Sequence, residues 1–213
     1  YYKVQAKNST SGALSAFSTP VSGKRTTVSE GAYKSLGTEG FSTYAGKYTS
    51  IQFYQGVAYV AYNQPTDGKI YVKKYDKQNG WVDVGDIAIT DAHSYALTKL
   101  SVRNHSEIYV AYGRKYVYGD AESHKVKVKK YNGSAWSDLG AVGVGQGDMS
   151  YHYSFLAMAL NSSGIPYIAF RDSSDQIFVK KYNSGTTWDI VGGGKAGDGY
   201  SQSGGSYIDL YIK

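Results

Sequence analysis

The chain has 213 residues and no cysteine. No disulfide can staple it, and thiolate nucleophiles and Cys-ligated metal sites are excluded. Proline is scarce, with 3 residues against 26 glycines. No run of 18 or more apolar residues occurs, so no membrane-spanning helix is expected. The Gly-x-Ser-x-Gly elbow of one hydrolase class and the Walker phosphate loop are both missing. Phenylalanine is rare, at 6 residues, while tyrosine is abundant, at 23. Tyrosine brings apolar area plus a hydroxyl, which suits half-wet sheet surfaces and ligand faces.

The charge balance is mildly basic, +6 from 23 Lys and Arg against 17 Asp and Glu. Many lysines fall at repeated strand positions, as at 73–74, 129–130 and 180–181. Alternation sends adjacent lysines to opposite faces, which argues for a solvated strand face and against a phosphate-binding stripe or nucleic-acid partner. The chain starts at Tyr1 without Met, as expected of a processed, secreted product. Asn-x-Ser/Thr sequons at Asn8, Asn104, Asn132 and Asn161 add candidate glycosylation sites.

An internal repeat decides the architecture. Tyr-Val-Ala-Tyr at 59–62 recurs at 109–112 and as Tyr-Ile-Ala-Phe at 167–170. Ile-Tyr-Val-Lys-Lys-Tyr at 70–75 is matched at 126–131 and 177–182. A third segment begins at Trp81, Trp136 and Trp188 and ends at Gly85, Gly140 and Gly192. A further apolar run precedes each triplet, at 50–54, 99–103 and 155–160. Each run is β-branched and aromatic and is bounded by Gly, Ser, Asn or Asp, which is how short strands and their turns read. The unit is thus four antiparallel strands with short connections.

Three full repeats span about 49–85, 97–140 and 154–192. The chain ends are expected to supply a fourth, split unit from 1–37 plus 206–213. Its strands fall at 2–6, 13–17 and 32–37, with Tyr33 in the tryptophan's place, and at 206–212. A sheet completed by both ends closes a ring and removes exposed edges. The expectation is an all-β, four-bladed β-propeller forming a single domain over 1–213. First strands are the most apolar and should be innermost. The tryptophan of each fourth strand should wedge between blades rather than stack on a sugar.

The segment Gly-x-Pro-Tyr-Ile-Ala-Phe-Arg-Asp at 164–172, Val-Lys-Lys-Tyr-Asn at 179–183, Trp188 and Gly192 together resemble a repeat of bacterial secreted and cell-surface β-propellers. The resemblance covers about 49–192 and departs at 7–31. It implies a lectin-like or adhesin-like protein, extracellular or at the cell surface, whose partners are glycans or cell-surface components. The repeat specifies architecture more than activity.

Antiparallel order places the longer loops, 85–98, 113–125, 140–153, 171–176 and 192–205, on one face. Binding groups concentrate on loops held by a rigid scaffold. The ligand-binding candidates are Asp91, His93 and Tyr95, then Tyr116 and Tyr118, then Asp148, Tyr151 and Tyr153, then Asp198 and Tyr200. Aromatic faces stack on sugar C–H surfaces and carboxylates accept hydroxyl hydrogen bonds. The competing reading is ordinary polar turn chemistry.

A zinc site built on Asp120, Glu122 and His124 needs three convergent ligands, and 171–175 lacks the glycine and closing Glu of a calcium loop. No metal or other cofactor is expected. Asp91, Asp148 and Asp198 occupy equivalent loops, and repetition favours a shared turn or binding role over a singular active site. The expected function is therefore non-enzymatic carbohydrate or surface binding. The alternative is a self-associating structural subunit of an extracellular filament or surface layer, and an enzyme is the third reading.

Overall fold

The computed structural model describes residues 35–37, 40–86, 89, 97–113, 125–142, 156–171, 177–192 and 208–212. The chain divides into two compact units, Tyr1–Ser35 and Leu36–Lys213, and the account below concerns the second. Among the described residues it is all β. The strands are β1 (Lys47–Tyr54), β2 (Val57–Gln64), β3 (Lys69–Asp76), β4 (Gly80–Asp83), β5 (Thr98–Asn104), β6 (Glu107–Gly113), β7 (Val126–Tyr131) and β8 (Trp136–Ala141), followed by β9 (Leu156–Leu160), β10 (Pro166–Arg171), β11 (Ile177–Ser184) and β12 (Thr187–Ile190). They form three four-stranded sheets, each pairing its strands in chain order.

All three sheets share one register. Tyr59 pairs with Lys74, Tyr109 with Lys130 and Tyr167 with Lys181. One strand further out, Tyr75 faces Trp81, Tyr131 faces Trp136 and Tyr182 faces Trp188. A slip of one residue would exchange the two faces of a sheet, so the common register shows that the repeat is structural as well as textual.

The sheets stack in sequence, with β1 against β5 and β5 against β9. Each interface owns a core. Tyr59, Ala61, Ile70 and Val72 of the first sheet pack with Leu100, Ile108, Val110 and Tyr112 of the second. The opposite face of the second sheet, through Tyr109, Ala111, Val126 and Val128, packs with Leu156, Ile168, Phe170 and Phe178 of the third. The middle sheet is thus covered on both sides. The expected solvated lysine face is corrected at two positions, Lys127 in the middle sheet and Lys180 in the third. Lys127 and Lys180 are buried, and Lys127 Nζ lies 3.7 Å from Asp138. Burial pushes the Lys180 ammonium below its usual range, against the opposing pull of Asp189. The aliphatic stems pack within the stack while the strand alternation remains.

The second strands, rather than the first, are the most deeply buried. They have strand neighbours on both edges and a neighbouring sheet on at least one face. First strands have one free edge, and β1 is mostly exposed.

The fourth-strand tryptophans join neighbouring units, as expected of wedges. Trp136 donates its indole N–H to the Val84 carbonyl at 2.8 Å, and Trp188 donates to the Leu139 carbonyl at 3.0 Å. Trp81 donates in the same way to Leu36 at 2.8 Å. The residue after each acceptor is a glycine with positive φ: Gly37, Gly85 and Gly140. At Gly85 the need is double, because a Cβ would also stand 2.9 Å from the Tyr131 ring and 3.1 Å from the Trp136 indole nitrogen.

The expectation of four closed blades is corrected at one point. Three sheets are formed among the described residues, and they do not close into a ring. Residues 208–212 form no ladder, so they lack the backbone pairing that would make them a fourth inner strand. Residues 2–6, 13–17 and Tyr33 lie outside the described residues.

Candidate functional site

The inner strands leave an open cavity of about 260 Å³ at their shared edge. Gln52 enters from β1, Ser101 and Val102 from β5, and Met158, Ala159 and Leu160 from β9. The remaining wall is Leu210, Tyr211 and Ile212. Register explains the convergence. Gln52, Ser101 and Ala159 are the cross-strand partners of Tyr59, Tyr109 and Tyr167, the same tyrosine in each repeat. Three equivalent inner positions therefore meet at one place, and each carries a small or polar side chain.

The wall is chemically mixed. Gln52 offers an amide, Ser101 and Tyr211 offer hydroxyls, and Met158, Leu160 and Val102 offer C–H surface. The Tyr211 ring is 81% exposed at the rim. Exposure along 208–212 alternates: Asp209 and Tyr211 point outward while Ile208, Leu210 and Ile212 are partly covered. That period of two is the habit of an extended segment laid on a surface.

The tight-turn end of the inner strands is fixed by two polar ties. The Tyr59 hydroxyl and His105 Nδ1 share a 2.6 Å hydrogen bond, joining the first sheet to the β5–β6 turn of the second. In the next sheet the Tyr109 hydroxyl reaches Glu107 Oε1 at 2.7 Å and the Gly164 carbonyl at 3.2 Å. Lys130 Nζ donates to the same Glu107 oxygen at 2.7 Å, and Arg103 donates to the other at 2.9 Å. Burial works to raise the Glu107 carboxyl, but the Lys130, Tyr109 and Arg103 donors outweigh it and hold it below the usual carboxylate range. Burial and the Glu107 hydrogen bond raise the Tyr109 hydroxyl, keeping it protonated and able to donate. Glu107 is thus an ionised anchor with its oxygens occupied, a poor proton donor for catalysis near neutral pH.

At the outer edge of the first sheet Phe41 stacks on Trp81 with ring centroids 4.5 Å apart, and on its central strands Tyr62 stacks on Tyr71 at 5.6 Å. Burial, with Asp83 next, pushes Tyr62 up to about 12, and the hydrogen bond to Asp67 does the same for Tyr71. These rings cover one another, and their hydroxyls stay protonated across the physiological range.

The ten loop candidates named from the sequence, from Asp91 to Tyr200, lie outside the described residues, as do Asp120, Glu122, His124 and 172–175. Among the described residues no three His, Cys, Asp or Glu side chains gather as a metal site. Likewise no helix among them is long and apolar enough to cross a membrane. Of the sequon asparagines, Asn8 lies outside the described residues. The others act as turn formers. Asn104 accepts from the Ser106 N–H at 2.8 Å, Asn132 from those of Ser134 and Ala135, and Asn161 from that of Ile165.

Gln52, Ser101, Met158 and Tyr211 were not singled out from the sequence. The signal was present as a small or polar residue opposite the repeated tyrosine in each first strand. The described cavity also sits toward the tight-turn end of the inner strands: Gln52 and Val102 are two residues from their strand ends, and Leu160 is the last residue of β9.

No family model matches the chain, and no curated protein matches it. What stands of the expected repeat is the recurring four-stranded antiparallel sheet. Among solved structures the chain is similar to that of an exo-1,5-alpha-L-arabinanase from a bovine ruminal metagenomic library. Identity is 12% and the TM-score 0.39, over 65% of this chain and 50% of that one. This chain thus spans about half the length of that protein. That structure is described as an enzyme's, and the expectation of a chain without enzymatic activity, which rested on missing motifs and on the repetition of Asp91, Asp148 and Asp198 in equivalent loops, does not stand.

Proposed function

We propose that the protein binds saccharide at the cavity between its inner strands, as part of an extracellular propeller that engages glycans. The observation that supports this reading is the composition of the cavity wall. An exposed aromatic ring, an amide and two hydroxyls stand beside aliphatic C–H surface. Sugars present the complement, hydroxyl edges and C–H faces. The cavity, at about 260 Å³, lies just below the roughly 300–1,000 Å³ range of pockets for drug-sized ligands, which suits one sugar ring.

The finer architecture belongs to the same proposal. A fourth blade has its inner strand at 208–212 and the end of its outer strand at Leu36 and Gly37. Two features support it. The 208–212 segment shares one cavity with β1, β5 and β9, and Leu36 receives the Trp81 N–H as Val84 receives that of Trp136.

A glycan array followed by calorimetric titration tests the binding. The intact protein should bind a defined group of saccharides, and Tyr211→Ala should weaken binding by roughly tenfold, within the range expected for a lost aromatic contact. Silence across broad panels, or full affinity in Tyr211→Ala, would remove the proposal. Release of reducing ends, followed in the same samples, separates retention of the sugar from turnover.

A second reading, a self-associating structural subunit, draws on a different observation. Ile51 and Phe53 of β1 are 55% and 64% exposed, whereas Leu100, the repeat equivalent of Ile51, is 2% exposed. An uncovered apolar face of this kind invites a further sheet.

A further inference from the structure

We infer that the saccharide taken by the inner-strand cavity is neutral, and that the basic balance of the chain plays no part in its selection. The inference rests on the proposed saccharide site and sharpens it. A net charge of +6 by itself points toward an acidic polymer. The distribution of charge points elsewhere. None of the nine residues lining the cavity is ionisable near neutral pH: the wall holds Gln52, Ser101 and Tyr211 as its polar groups, and six aliphatic or thioether side chains.

Three cations of the first two sheets are committed to acids of their own sheets. Lys73 is held by Asp83 at 2.8 Å, and Lys130 by Glu107 at 2.7 Å. Arg103 stands one residue beyond the cavity-lining Val102, yet its guanidinium pairs with Glu107 at 2.9 Å and packs on Gly164. A carboxylated sugar entering the cavity would give up water and meet no countercharge, which is unfavourable. A neutral ring can set a C–H face against Met158 and Leu160 while its hydroxyls reach Gln52 and Ser101.

Gln52 makes the inference testable, because it is exposed and its replacement leaves the core intact. Titrate the protein and Gln52→Lys with matched pairs of neutral hexoses and hexuronic acids, free and as short oligomers, at low and high salt. The unaltered protein should favour the neutral partner by roughly tenfold, with an affinity that barely changes between about 0.05 and about 0.5 M salt, as expected where no ion pair forms. Gln52→Lys should gain hexuronate binding that weakens as salt rises. Tighter, salt-sensitive hexuronate binding by the unaltered protein overturns the inference but leaves saccharide binding standing. No change in Gln52→Lys overturns the assignment to this cavity. Failure of both sugar classes to bind overturns the underlying saccharide reading as well.

Discussion

Trp136 donates its indole N–H to the main-chain carbonyl of Val84 at 2.8 Å, and the two residues belong to different sheets. The side chain also packs against the first interface core. One residue thus supplies both the apolar wedge and the polar latch between neighbouring units. Trp136→Phe keeps most of the wedge and removes the donor, so it should cost about 1–2 kcal/mol, the penalty of leaving a carbonyl unsatisfied. Trp136→Ala removes both and should cost about 3–5 kcal/mol. Urea unfolding of the two variants measures the difference. Equal losses would mean that the hydrogen bond contributes nothing beyond the packing.

The glycine beside that latch leads to a separate expectation. Gly85 has φ of +71°, and a Cβ there would press on Tyr131 and Trp136. Gly80 also has positive φ, +74°, but nothing lies within 4 Å of its would-be Cβ. Gly85→Ala should therefore destabilise more than Gly80→Ala. Backbone strain of about 1–3 kcal/mol applies to both, and the contact adds to it only at Gly85. Thermal unfolding of the pair checks the order, and a reversed order would refute the steric part of the argument.

Much of this frame was legible in the residues. The Lys-Lys-Tyr and Trp…Gly segments mark the third and fourth strands because alternation and turn glycines act locally. The tryptophan wedge was legible too, since a large side chain recurring at one place in each unit points to a shared contact. Lysine burial was not legible. Hydropathy reads Lys127 and Lys180 as surface residues, whereas their stems pack between sheets and only the stacking order reveals it. The cavity was hidden for a related reason. Gln52, Ser101 and Met158 are far apart in sequence, and only the common register against Tyr59, Tyr109 and Tyr167 brings their strands to one edge.

Glu107 should make stability depend on pH. Its folded carboxyl is held below the ordinary range by Lys130, Tyr109 and Arg103 despite the opposing effect of burial. A depressed carboxylate contributes stability above its unfolded value, near about 4.3, and that contribution fades as pH falls through the folded value. Glu107→Gln should therefore be less stable than the unaltered protein by about 1–2 kcal/mol at neutral pH, as expected for lost charge-assisted hydrogen bonds that are partly exposed. The gap should close below roughly pH 4. Denaturant melts across this range test the sign. A gap that widens in acid would show that the network does not favour the ionised form.

The uncovered face of β1 distinguishes a lone binding module from an assembling subunit. Ile51 and Phe53 lie two residues apart on one face of the strand and are both exposed, while their repeat equivalents in β5, Leu100 and Val102, join the first interface core. If this face mates with another molecule, the mass measured by light scattering should rise with protein concentration. Replacing both residues by threonine, which keeps the β propensity, should return it to that of a monomer without lowering stability. The loss of apolar contact between molecules should weaken association by about 2–4 kcal/mol, given about 1.5–3 kcal/mol for fully burying one large apolar side chain and incomplete burial at an interface. A protein that remains monomeric at high concentration before any substitution would eliminate the structural-subunit reading, and saccharide binding would then stand as the only proposed role.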